Sequence, residues 1–464
     1  MASRDLYVLD PALVEEPPRS WGGKLRMLGP GFVLTASIVG SGELIATTAL
    51  GAKAGFTALW VILLSCLVKV ALQLEFGRHT IMTGETALAA FNRIAGPKLF
   101  GAHWTTWFWL AVQPLKILQV GGLVGGVAML MNMVVPAISV AAWCWIVAAV
   151  SAAMVASENY RFVERACVAM IVGFTATTVV SVVSLQWTEY AVTGAQLAEG
   201  LRGRLPSSDM AGMMILVGAF GLTGVGGDEI MQYTYWLIEK GYAAKTGRGE
   251  PSDPAWAARA RGWMRVMYLD ALASMVVYTV VTAAFYILGA AVLNARGQVP
   301  EGSKMVDTLA SMYTESLGAW ARSVFLLGAF FVMFSTVFSA LAAWTRIFTD
   351  AAGILGLIDF NDTRSRRRCI VTLACLFPTA WATIYLVYRD PVDMVTLGGM
   401  ATAAILIVVV VAAINFRCQR TPDELRPGRL YDAALFASIT SLGAFAAYTA
   451  WATGTALLDT SGTG

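Results

Sequence analysis

The sequence predicts an all-α integral membrane protein with about eleven transmembrane helices, each of the ~20 residues a bilayer crossing needs. Three observations carry this. Of 464 residues, 57% are hydrophobic and 14% charged, whereas soluble domains carry about 25% charged residues. Apolar runs follow one another almost without pause. The basic residues fall in alternate connecting segments, as the positive-inside rule requires.

Residues 1–27 form a tail of mixed charge with Pro17-Pro18 and no signal-peptide core. The membrane domain covers 28–452, and a short tail covers 453–464. The runs are Leu28–Leu50, Phe56–Phe76, Trp104–Val134, Val140–Ala156, Phe162–Leu185, Met210–Ile238, Val266–Leu293, Ser323–Ile347, Cys369–Val387, Pro391–Phe416 and Leu430–Ala452. Run three contains Pro114 and Lys116 and predicts a kink or an interfacial lead-in. With the N-terminus in the cytosol, 24 of the 33 Lys and Arg lie inside and seven outside, with Lys69 and Lys116 within spans. The arginines at 364 and 366–368 are topogenic and placed to touch anionic lipid. This predicts a multi-pass protein of a bacterial inner membrane, N-terminus cytosolic and C-terminus external.

Two runs are interrupted. Val39-Gly40-Ser41-Gly42-Glu43 puts a carboxylate and two glycines in run one. Thr223-Gly224-Val225-Gly226-Gly227-Asp228-Glu229 does the same in run six. An intramembrane acid is costly and marks a functional site by default. Runs 1–5 (28–185) and 6–10 (210–416) then read as two five-helix repeats, the second inverted, with run 11 (430–452) appended. Broken helices at corresponding positions are how secondary transporters build a midplane site.

The candidate substrate site is therefore Gly40, Ser41, Gly42, Glu43, Val225, Gly226, Gly227, Asp228 and Glu229. Glu43, Asp228 and Glu229 are hard oxygen donors suited to Mg²⁺, Mn²⁺ or Ca²⁺. Free carbonyls at Gly40, Val225 and Gly226 would add ligands. Asp228 and Glu229 point about 100° apart on a helix, so at most one is a direct ligand. Glu43 bound instead to a basic or hydroxyl neighbour is the structural alternative. Gln113, Lys116 and Gln119 form a polar stripe on run three, lining the pathway or pairing with an acid. Gly121, Gly122, Gly125 and Gly126 after it favour close helix packing. Lys69 precedes Gln73 and Glu75 by four and six residues and either pairs locally or snorkels. Asp270, near the start of run seven, reads as a packing residue or one member of an inner gate.

At this point the chain resembles a known family. Leu28-Gly29-Pro30-Gly31-Phe32, Gly51-Ala52-Lys53-Ala54-Gly55-Phe56 and Leu59-Trp60-Val61-Ile62-Leu63-Leu64-Ser65 resemble the first two helices of Nramp divalent-metal transporters. Tyr160-Arg161-Phe162-Val163-Glu164 resembles their fifth helix and Ser335-Thr336-Val337 their eighth. The resemblance covers most of the chain in span order and implies the LeuT-type fold of 5+5 inverted repeats. The family's metal-binding Asp-Pro-Gly-Asn is replaced by Gly40, Ser41, Gly42 and Glu43, and its Met-Pro-His by Val225, Gly226 and Gly227. Acids that serve proton release along its third helix stand here as Val120 and Leu123. The scaffold carries over, but the usual ligands and proton route do not.

Ile38-Val39-Gly40-Ser41-Gly42 also resembles the first-helix break of amino acid–polyamine–organocation transporters, whose exposed amides bind a substrate carboxylate. Two functions follow: transport of a hard divalent cation, or transport of an amino acid, amine or other organic solute. An enzyme would need a nucleophile–base pair or a metal cluster, and the sequence offers neither. His79 and His103 are its only histidines, and the six cysteines form no CxxC pair. No cofactor is expected beyond the transported ion, and the partners are the bilayer and a small solute. No basic stripe suggests nucleic acid.

Overall fold

Gly29 and Pro30 start the first membrane helix. Proline at the first helical position gives up no hydrogen bond, because that N–H has no partner within the helix. In the computed structural model α1 (Trp21–Met27) is a short lead helix and α2 (Pro30–Ile38) the first half of run one. The structure describes residues 5–156, 160–204, 210–250, 252–300, 304–318 and 320–461. A π-helical turn, Ser41–Thr47, and α3 (Thr48–Ala54) complete the run beyond the break.

The remaining elements follow in order: α4 (Leu59–Thr83), α5 (Ala87–Phe91), a two-stranded hairpin (Lys98–Leu99 with Ala102–His103), α6 (Trp104–Val134), α7 (Val140–Ala156), α8 (Tyr160–Ser184) and α9 (Gly194–Gly200). Then come α10 (Met210–Leu222), α11 (Gly227–Glu239), α12 (Tyr242–Thr246), α13 (Pro254–Leu288), α14 (Met305–Leu317), α15 (Ala321–Ile354), α16 (Thr363–Tyr388), α17 (Pro391–Asn415) and α18 (Arg429–Ser461). Among the described residues eight helices are long and apolar enough to cross a membrane. A ninth span results if the first broken pair, bent by 46°, counts as one. The α7 helix is shorter, at 17 residues, and the second break separates two halves of 13 residues each.

The predicted lead-in to run three is not a separate element. α6 runs unbroken through Pro114 for 31 residues. It packs against α7, α15, α16 and α17. Its glycines allow that approach: a Cβ at Gly125 would sit 2.0 Å from the Tyr385 ring and one at Gly122 2.9 Å from Met394.

The N-terminal tail is bound rather than free. Tyr7 donates to Glu239 at 3.0 Å, Arg366 pairs with Asp5 at 2.8 Å, and Trp263 donates to the Glu15 carbonyl at 2.9 Å. It thus ties the end of α11 to α13 and α16.

Candidate functional site

At the first break, α2 ends at Ile38 and the chain turns through Gly40. A side chain there is excluded, because a Cβ would lie 1.7 Å from the Thr336 hydroxyl of α15. That hydroxyl donates at 3.0 Å to the Ala36 carbonyl, one of the acceptors left over where α2 stops. Glu43 is fully buried. Its carboxylate accepts from the Thr282 hydroxyl of α13 at 3.0 Å and from the Gly40 N–H at 3.4 Å. No described Lys or Arg pairs with it. The hydroxyl-neighbour alternative therefore describes its contacts. The side chain of Ser41, like residue Gly42 beside it, lies outside the described burial and contacts.

At the second break Gly224 adopts φ +65°, a left-handed conformation suited to glycine, and a Cβ would meet the Cα of Cys66 at 2.8 Å. Val225 is buried, and Gly226 caps α11. The carbonyls of Gly40 and Gly226 already accept the amides of Leu44 and Ile230, each at 3.0 Å. They are less free as ligands than the breaks suggest. Gly227 opens α11 against Ile405 of α17.

The two adjacent acids face different surroundings. Asp228 accepts from the Trp109 indole at 2.8 Å and the Gln113 amide at 3.5 Å, and lies 3.4 Å from the Lys116 ammonium. Lys116 also donates to Gln119 at 2.7 Å and to Thr402 of α17 at 2.6 Å. The α6 stripe is thus brought together as a partner for Asp228. Glu229 borders the cavity that Lys116 and Gln119 also line. Its buried Oε2 has no hydrogen-bond partner among the described residues.

Glu229 lines a cavity of about 20 Å³, room for roughly one water-sized species. Its walls come from both broken helices, α6 and α15. Ser37, Lys116, Gln119, Gln232 and Thr336 supply polar groups, and Val120, Leu123, Leu222 and Trp344 apolar ones. Gln232 also presents a buried Oε1 without a partner. No Met or Cys lines the cavity. The three acids do not converge on one point: among the described residues no group of three His, Cys, Asp or Glu could hold a metal ion.

Thr282 and Thr402 escape a reading of the sequence: they are single hydroxyls in apolar helices with no local signature. Thr336 enters it only within the Ser335-Thr336-Val337 resemblance, not as a site residue. Asp270 accepts the Gly29 and Gly31 N–H groups at 2.8 and 2.6 Å and the Tyr233 hydroxyl at 3.1 Å. It caps the N-terminus of α2 and pairs with no described basic residue. Lys69 neither snorkels nor pairs with Glu75. That glutamate accepts from Tyr431 at 2.6 Å and lies 3.4 Å from Arg78.

The helical bundle with its two interrupted helices is the LeuT-type fold of membrane transporters. A manganese transporter of Eremococcus coleocola, solved with an aromatic bis-isothiourea compound, superposes with TM-score 0.65 at 13% identity, over 94% of this chain and 88% of that one. MhsT solved with L-phenylalanine gives TM-score 0.61 at 13% identity, over 94% and 99%. The model of the natural resistance-associated macrophage protein-like (Nramp) family matches residues 31–452. The divalent metal cation transporter MntH of Brucella suis is 23% identical over 410 residues, 85% of this chain and 81% of its own length. The chain belongs to the Nramp family: it is a membrane transporter and not an enzyme.

Proposed function

We propose that this protein is a secondary transporter for a hard divalent cation, Mg²⁺ or Mn²⁺ first, bound between the two broken helices with Glu229 as its principal ligand. The N-terminus lies in the cytosol and the membrane is a bacterial inner membrane. The observation that carries the reading is the unpartnered Glu229 oxygen facing a cavity the size of one water. A buried carboxylate oxygen left without a hydrogen bond is expensive, and a cation arriving there would offset that cost. The surrounding Gln and Thr oxygens suit a hard ion. Membership of the Nramp family and the named activities of the MntH and manganese-transporter relatives point the same way.

The test is Mn²⁺ and Mg²⁺ uptake into proteoliposomes, with titration of the purified protein. Glu229→Gln should lose uptake while keeping its melting temperature, because no hydrogen bond to Oε2 is broken. Unchanged uptake would remove Glu229 from the site.

One observation favours a second reading. The cavity sets one carboxylate, Glu229, among the Lys116 ammonium and neutral Gln and Thr groups, and a carboxylate binds a primary ammonium as well as a metal ion. An amino acid or amine would use Glu229 for its ammonium and the amides of the first break for a carboxylate. Thermal shifts with divalent cations set against amino acids and amines separate the two.

A further inference from the structure

Lys69 sits in the middle of α4, fully buried. Its ammonium donates to the carbonyls of Phe220, Gly221 and Thr223, the last two at 3.2 and 2.8 Å. These belong to the C-terminal end of α10, where the helix stops and its last carbonyls lose their partners. The Ser65 hydroxyl, one turn earlier on α4, lies 3.0 Å from both the Phe220 and Thr223 carbonyls, sharing its one hydrogen between them, and the Thr223 hydroxyl donates to Ser65 at 3.0 Å. The ammonium also lies 4.8 Å from the centre of the Phe220 ring.

The hydrogen-bond partners of the Lys69 nitrogen among the described residues are three carbonyls, and the Phe220 ring adds a π-face. A protonated amine has three N–H donors and meets three carbonyls, whereas a neutral amine would leave one of them unmet. The Cys66 thiol, Glu229 and Glu43 lie within electrostatic range, and the α10 C-terminus carries the negative end of its helix dipole. Carbonyl and hydroxyl oxygens at a helix end, with carboxylates nearby, make a site for a small monovalent cation, and here the protein supplies that cation itself.

We propose that Lys69 is a tethered cation filling a monovalent-cation site at the second break, and that it fixes the shape of that break without any bound alkali ion. The proposal is independent of which solute is carried, and its test reads stability rather than uptake. Lys69 acts through the break and does not touch the cavity at Glu229, so it is a positioning residue.

The experiment compares wild type, Lys69→Ala and Lys69→Met, all purified in methylammonium chloride and exchanged into chloride salts of equal ionic strength. Melting temperatures are read in Na⁺, K⁺, methylammonium and choline. Wild type should be indifferent to the cation. Lys69→Ala should melt several degrees lower in choline and recover in methylammonium or Na⁺. Lys69→Met should melt low in every salt, because its side chain fills the space and supplies no charge. Lys69→Ala melting alike in all four salts would overturn the proposal. So would Lys69→Met as stable as wild type, or Lys69→Ala that fails to fold even in methylammonium, since an occupied site should hold it. A merely space-filling lysine would be mimicked by methionine and would show no choice among salts.

Discussion

The Lys116 ammonium lies 3.4 Å from the Asp228 carboxylate, joining α6 to the first turn of α11 beside the candidate cavity. Both groups are buried. Truncating one partner of such a pair strands the other, at about 3–5 kcal/mol.

The first prediction follows from that pair. Lys116→Met leaves Asp228 charged, with only the Trp109 and Gln113 donors. The protein should lose stability, yet bind a divalent cation more tightly, because the ammonium that lines the cavity with Glu229 is gone and no longer repels the ion. Asp228→Asn should also destabilise, without the gain in affinity. Melting temperature and cation titration on the two variants check this. Equal affinity in Lys116→Met and wild type would place the Lys116 ammonium outside the substrate's reach.

A second prediction concerns Asp270. Its two bonds to Gly29 and Gly31 N–H groups are charge-assisted, and such bonds contribute about 1.5–3 kcal/mol each. Asp270→Ala should therefore free the start of α2 from α13. A cysteine placed near Leu28 should then react faster with a cytosolic maleimide. Asp270→Asn keeps acceptor oxygen for one of the two amides and should lie between. A reaction rate that does not change in Asp270→Ala would show that the α2 N-terminus is held elsewhere.

The third prediction is about topology. With eleven crossings and the N-terminus inside, 24 basic residues fall on the cytosolic side and seven outside. A reporter fused after Gly464 should read as external. A cytosolic reading would mean an even number of crossings and would undo the pairing of the two breaks.

Much of this architecture was legible in the sequence, because apolar length and charge alternation act locally and survive any detail of packing. The breaks at Gly40 and Gly224 were legible for the same reason: glycine and acid in an apolar run leave few alternatives. What each acid touches was not. Asp228 and Glu229 are neighbours in sequence, and only the position of α6 decides that Lys116 meets the first. Lys69 shows the limit most clearly. Its helical neighbours Gln73 and Glu75 suggested a local partner, whereas the acceptors it uses are the frayed end of a helix about 150 residues away, with separations of 151, 152 and 154. Asp270 caps glycines more than 200 residues distant, at separations of 241 and 239.

A fourth prediction addresses ion choice and coupling. No thioether, thiol or imidazole lines the cavity, so Cd²⁺ should not outcompete Mg²⁺ or Mn²⁺ by the margin a soft ligand gives. Val120 and Leu123 form apolar wall of the cavity, at positions that the family resemblance aligns with proton-releasing acids. Uptake should then proceed without stoichiometric proton movement, read by a pH dye inside proteoliposomes. A fixed ratio of protons to substrate would turn attention to Lys116 and Glu43 as carriers.

The last prediction separates charge from hydrogen bonding at Glu43. Its carboxylate accepts from Thr282 and the Gly40 N–H, and these bonds set the turn of the first break against α13. Glu43→Gln keeps one carbonyl oxygen for Thr282 and removes the charge. No described cation pairs with Glu43, and the Gly40 N–H also donates to the Ile38 carbonyl at 2.8 Å, so the melting temperature should change little. Uptake should fall by about 10-fold or more, the loss typical when a group supporting a cation site is changed. Glu43→Ala removes the acceptor as well, leaves the buried Gly40 amide without it, and should lower both stability and uptake. A Glu43→Gln protein that melts as wild type and transports as wild type would mean that this carboxylate serves neither the ion nor the shape of the break.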